Sequence, residues 1–211
     1  MLVRKSEVLR YLGCTEADAR LSQEVDEAIA GIAAAAQPKS RYMRLPLEIS
    51  GEEVTAGRMH ATSKNLAKNL VGCREIILFA ATLGAGADAE IRKFSHIAMS
   101  RAVILQAAAS AYIEEFCDEC EENIRAEMAK EGLSLRPRFS PGYGDFPLAC
   151  QREIVEMLDC PRKIGLTLTE HLMLAPSKSV TAVIGLSSEK TACVKHGCES
   201  CSKTDCEYRR R

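Results

Sequence analysis

The stretch RFSPGYGDFPLAC, from Arg138 to Cys150, cannot be a helix or a central strand. Pro141 and Pro147 remove backbone donors, and Gly142 and Gly144 open dihedrals that other residues avoid. The backbone there must bend, and its amides and carbonyls must find partners outside a regular ladder. Set into that bend are a guanidinium (Arg138), a hydroxyl (Ser140), a phenol (Tyr143) and a carboxylate (Asp145). An Arg grips a carboxylate or phosphate through two parallel hydrogen bonds, and a Tyr offers a flat apolar face with a polar tip. Such a segment can hold a small anionic molecule that carries a ring. The alternative is a rigid surface connection with an ordinary exposed Arg.

Around this bend the periodicities alternate between helix and strand. Ser6 to Leu12 predicts a short helix stopped by Gly13, and Thr15 is placed to cap a second helix with Asp18 completing a capping box. Leu21, Val25, Ala28, Ile29, Ile32 and Ala36 recur at helical spacing. Met43, Leu45, Leu47 and Ile49 alternate as one side of a strand, which Pro46 confines to an edge or a bulge. A helix from Ser63 to Val71 follows, and then Glu75 to Ala81 is an apolar run fit for a central strand. Thr82 to Gly86 reads as a tight strand-to-helix turn, since it lacks the further glycine and the Gly-Lys-Ser/Thr of phosphate loops. From Ala87 to Lys130 the pattern is helical, broken near Ser95 to Ser100.

In the second half of that long pattern Glu114, Glu115, Asp118, Glu119, Glu121 and Glu122 form one arc, read as a solvated face. Cys117 and Cys120 lie on the opposite, apolar arc and read as packing rather than a redox pair. Glu114 stands at the border of the arcs, where a carboxylate can face a cleft. After the bend, Pro147 suits the first turn of a helix to Leu158, capped by Asp145 or its successor. Ile164 to Leu168 and Ser179 to Leu186 read as strands. Helices and strands interleave without a βαβ beat, so the fold class is α+β.

The string Arg138-Phe-Ser140-Pro-Gly142-Tyr143, then a helix, then Leu168-Thr-Glu170, then Pro176-Ser-Lys-Ser179-Val180-Thr181, resembles the C-terminal activation domain of cobalamin-dependent methionine synthase. The family pattern is Arg-x-x-x-Gly-Tyr, a helix, Leu-Thr-Glu and Pro-x-x-Ser-Val-Ser/Thr. With the acidic helix from Glu114 the likeness extends over residues 110–186. It implies a twisted antiparallel sheet packed with long helices that binds S-adenosylmethionine. Arg138 would hold the ligand's carboxylate, Glu114 its amino group, Ser140 would give backbone contacts to the adenosine, and Tyr143 would pack beside it. It further implies reductive methylation of cob(II)alamin, with an electron donor such as a flavodoxin, and a place in methionine biosynthesis. No side chain is assigned as a general acid or base. The Asp-Trp segment and the His after Gly-Tyr found in longer versions are missing, as are cobalamin, folate and homocysteine domains. The expectation is therefore a stand-alone activation subunit acting on a separate cobalamin protein.

Composition narrows the partners. A net charge of −1 with no Trp gives no electrostatic case for nucleic acid or an anionic membrane. No apolar run reaches a membrane span and no secretory leader is evident, so a cytoplasmic protein is expected. Four of the ten cysteines crowd together as Cys193-x4-Cys198-x2-Cys201-x4-Cys206. Four close thiolates suit tetrahedral zinc or an iron–sulfur cluster. The division expected is residues 1–188 as the activation-like domain and 189–211 as a Cys-rich tail. His196 lies among the tail thiols as a bystander, and His60, His96 and His171 read as structural. Two alternatives remain at this stage: a non-catalytic metal-binding scaffold, and an activator of another corrinoid methyltransferase.

Overall fold

The computed structural model describes residues 3–188. The elements in chain order are α1 (Lys5–Tyr11), α2 (Ala19–Ala35), β1 (Lys39–Pro46), β2 (Glu48–Ser50), β3 (Glu53–Ala56), β4 (Met59–Thr62), α3 (Lys64–Asn69) and β5 (Glu75–Thr82). They continue as α4 (Ala85–Ser95), α5 (Met99–Ala129), β6 (Ser134–Leu135), a 3-10 turn at Leu148–Cys150, α6 (Gln151–Met157), α7 (Cys160–Lys163), β7 (Thr167–Leu168), β8 (Leu174–Ala175) and β9 (Ser179–Ser187). The class is α+β, as the interleaved periodicities indicated. Among the described residues no helix is long and apolar enough to cross a membrane.

The central sheet has the order β1-β5-β9-β6, all antiparallel. Strand β1 lies at its edge, where Pro46 is tolerated. Both faces are covered, so alternate residues of β5 and β9 enter two different cores. Ile77, Phe79, Ala81, Ala182 and Ile184 pack under α5, α4, α2 and α1. Ile76, Leu78, Ala80 and Val183 pack against the small β2-β3-β4 sheet, α3 and α6. This double burial explains why β5 reads as a continuous apolar run rather than an alternating one.

One local expectation is corrected. Asp18 itself caps α2, its carboxylate accepting from Leu21 N at 2.7 Å, and Thr15 stands outside the helix. Aspartate is among the strongest N-caps and needs no partner three residues upstream. The helix expected to reach Leu158 does so, α6 closing at Met157 with Leu158 as its C-cap, and Asp159 in a left-handed conformation then starts the short α7. The Thr82–Gly86 turn is a packing device: a Cβ on Gly86 would lie 2.1 Å from the Ala35 carbonyl oxygen. Only glycine lets α4 begin against the end of α2.

Candidate functional site

Arg138 owes its direction to a break in strand pairing. Leu135 lies opposite Leu186, and Arg136 N donates to Gly185 O at 2.8 Å. Phe139 then pairs with Val183 through two hydrogen bonds of 2.9 Å. From Leu135 to Phe139 the segment advances one residue more than β9 does, which is a β-bulge at Pro137-Arg138 opposite Ile184. Pro137 has no N–H to contribute, so it suits the unpaired position. Phe139 enters the α3–α6 core, stacking on Phe146 with ring centroids 6.1 Å apart. The preceding Arg138 is thereby turned to the other face, against α5.

There the guanidinium meets three acids of one helical stripe. Arg138 Nη2 donates to Asp118 Oδ1 at 2.8 Å and more weakly to Glu114 Oε2 at 3.4 Å. Nη1 stands 3.3 Å from Glu121 Oε2, yet it is buried and not aligned to donate a hydrogen bond. We read it as an ion pair by distance with donor capacity to spare. The Arg138 side chain is only 17% exposed, against 39% for Glu114. Burial pushes the Glu121 carboxyl above its ordinary value, and Arg138 and Arg125 oppose that rise. Arg125 holds Glu121 at 2.7 Å. The acidic arc is expected to be solvated, and Asp118 is indeed exposed, whereas the Glu121 side chain is only 16% exposed. The spacing 114, 118, 121 was the available signal, because residues four and three apart share a stripe.

The bend after Arg138 consists of two tight turns, in which Tyr143 N donates to Ser140 O and Phe146 N to Tyr143 O, and Gly142 N donates across them to Phe146 O. Asp145 does not cap α6. It seals the start of α3, accepting from Ser63 Oγ, Lys64 N at 2.9 Å and Asn65 N at 3.1 Å. The approach is close, for a Cβ on Gly144 would lie 2.5 Å from Asn65 Nδ2. With Phe146 anchored inside and Asp145 tied to α3, Tyr143 is left pointing outward, 69% exposed, at the rim of the bend. Ser140 is half-buried beside it. Thus Arg138 and Glu114 are brought into contact, while Ser140 and Tyr143 join them only through the backbone of the bend.

The Pro176–Thr181 motif is tied to its surroundings by its polar groups. Ser177 donates from N and Oγ to Asp88 on α4, Ser179 Oγ donates to Thr82 Oγ1, and Thr181 Oγ1 donates to the buried Gln151. Gln151 in turn holds Leu172 O at 2.7 Å. Cys117 is a buried thiol pushed far up by desolvation, and Cys120 donates to Ser40 Oγ. A shallow groove lined by Ile49, Lys64, Lys68, Val71 and Cys73 lies on the α3 side of the sheet, away from Arg138. It gathers no comparable ionic cluster. Among the described residues no set of His, Cys, Asp and Glu is arranged to hold a metal. Cys193, Cys198, Cys201 and Cys206 lie outside the described residues.

Together these features define an α+β domain with an ionic cluster between a long helix and a Gly/Pro bend on a sheet edge. The model of the family described as vitamin B12 dependent methionine synthase, activation domain, matches residues 52–211. The chain belongs to that family. Among solved structures it is similar to the MetH reactivation domain bound to AdoHcy, at 19% identity and a TM-score of 0.61. That match covers 79% of this chain and 64% of the other, and shows a shared fold. No curated protein matches the chain.

The Asp145 clasp has a pH signature. Its hydrogen bonds, with Ser63 foremost, lower its folded pKa below the ordinary 3.8. A carboxylate with a depressed folded pKa stabilises above its unfolded pKa, and that contribution is lost as the pH falls through the folded value. Asp145→Ala is expected to lower Tm at neutral pH, with the gap to wild type narrowing as the pH is taken below 3.8. Thermal melts across that range check this; a gap independent of pH would contradict it.

Proposed function

We propose that this chain binds S-adenosylmethionine in the cleft between α5 and the Arg138 bend, and supports reductive methylation of cob(II)alamin on a cobalamin-dependent methionine synthase supplied as a separate polypeptide. The observation that carries the reading is the bulge-directed guanidinium of Arg138 facing Glu114 inside the segment matched by the activation-domain family. A relative of the same fold bound to AdoHcy supports an adenosyl-sulfur ligand.

Each residue has a role that follows from its chemistry. Arg138 takes the ligand's carboxylate, for which its poorly used Nη1 and its Asp118-bound Nη2 form a two-pronged donor. As the carboxylate displaces Asp118, the acids of the α5 stripe become free to receive the ammonium, with Glu114 nearest. Ser140 offers its backbone to the adenosine, and the exposed Tyr143 ring packs against it or against the incoming partner. The reduced cobalt on the partner, fed by an outside donor such as a flavodoxin, supplies the nucleophile, and the sulfonium supplies the leaving group. The chain's task is to hold the methyl in line, so no general acid or base is required.

Calorimetric titration with S-adenosylmethionine tests this. Wild type is expected to show saturable binding that weakens more than roughly tenfold in Arg138→Ala, the loss of a charge-assisted pair, with circular dichroism showing both proteins folded. A folded wild type that does not bind, alone or with the cobalamin protein, contradicts the reading.

The tail thiols Cys193, Cys198, Cys201 and Cys206 complete the proposal as the ligands of zinc or an iron–sulfur cluster, in a reducing cytoplasmic setting. Anaerobically purified protein is expected to carry metal that Cys198→Ser with Cys201→Ser releases, and visible absorption distinguishes cluster from zinc. Metal-free wild type would contradict it.

A further inference from the structure

Lys178, in the middle of the Pro-x-x-Ser motif, sits at the other end of the same α5 stripe. Its backbone carbonyl accepts from Leu83 N at 2.9 Å, fixing the start of β9 against β5. Its parity along β9 is that of Val180, Ala182 and Ile184, so its side chain rises on the α5 face, as that of Arg138 does. There Nζ donates to Ser110 Oγ at 2.9 Å. Ser110, Glu114 and Asp118 are successive i, i+4 positions of α5. Lys178 and Arg138 therefore bracket one stripe, with contact points on α5 about 12 Å apart at 1.5 Å per residue.

The two cations are provided for very differently. Arg138 is within ion-pair distance of three carboxylates. Lys178 is in none of the ion pairs among the described residues, and the acid that influences it, Asp88, is occupied by Ser177. Its ammonium is half-buried, and desolvation lowers its pKa with only partial compensation from Asp88. Three N–H groups sit on that nitrogen, and Ser110 accounts for one. Beside it the part of β9 before Val183 has β5 on one side only, since the bulged segment leaves the sheet after Phe139. A partly dehydrated donor thus stands at the far end of an α5 stripe whose near end suits an amino acid's charged groups.

We propose that Lys178 anchors the nucleoside end of the ligand whose amino-acid end meets Arg138, donating to a ribose hydroxyl or an adenine ring nitrogen. This rests on the S-adenosylmethionine reading given above. It makes the cleft a two-ended clamp, in which Arg138 and Glu114 read the amino acid and Lys178 reads the nucleoside.

The test compares wild type with Lys178→Met, which keeps the apolar stem, and Lys178→Gln, which keeps a neutral donor. Affinities are measured for S-adenosylmethionine and for 5′-methylthioadenosine, which lacks the amino-acid end, by calorimetry and ligand-observed NMR. Lys178→Met is expected to weaken both ligands by a similar factor of roughly ten, with Lys178→Gln in between. Thermal melts establish that the variants are folded, and Lys178→Gln carries the comparison should Lys178→Met fail to fold. Unchanged S-adenosylmethionine affinity in the variants overturns the proposal. So does a loss confined to S-adenosylmethionine, or a wild type that binds S-adenosylmethionine but not the nucleoside. A wild type that binds neither ligand removes the functional reading itself, a distinct outcome.

Discussion

The bulge at Pro137-Arg138 decides which face of the sheet receives the guanidinium. Side chains on a strand alternate, so one extra residue reverses everything that follows it. Upstream, Leu135 enters the core beneath α5, and Arg136 reaches the other way to donate to Val71 O at 2.8 Å. Downstream, Phe139 enters the α3–α6 core. Had the pairing continued in register, Arg138 would share the face of Arg136 and Phe139 would be forced against α5. The two Phe139–Val183 hydrogen bonds and the buried Phe139–Phe146 stack hold the shifted register. Every property of the cleft depends on that shift.

Arg138 is poor value as a stabilising device. Removing charges from water costs several kcal/mol per ion, and such clusters often match hydrophobic packing only when fully hydrogen-bonded. Here Nη1 is buried without an aligned acceptor, and three carboxylates crowd one guanidinium. Even with Arg125 sharing Glu121, the stripe holds more acid than base. That excess would complement the ammonium and sulfonium of the ligand proposed above. Across from it, the bend and the start of α6 are held by partnered polar groups: Asp145 by Ser63 and two backbone amides, and Gln151 by Leu172 and Thr181. A fixed wall thus lies beside a guanidinium with one donor nitrogen to spare.

Much of this was legible in the sequence. The Pro/Gly bend, the long acidic helix, the central apolar strand and the edge position of Pro46 follow from local rules and emerged as expected. What escaped were relations between distant segments. Asp145 looked like a cap for the helix just after it, whereas its partners start a helix some eighty residues earlier. Glu121 looked solvated because periodicity reveals that side chains share a face, not what the rest of the chain lays against it; Asp118 is exposed as expected but also meets Arg138. Lys178 resembled any lysine in a turn until its strand parity and Ser110 gave it a direction. The bulge left one trace, a proline between two arginines, and its meaning required the register of β9.

The most direct test of the central claim is to map where S-adenosylmethionine binds. Amide chemical-shift perturbation of the isotopically labelled protein on titration would do so. The account predicts shifts concentrated at Arg138 to Gly144, along Ser110 to Glu121, and at Lys178 to Thr181. Shifts centred instead on the groove of Ile49, Lys64, Val71 and Cys73, with the Arg138 bend unmoved, would contradict it.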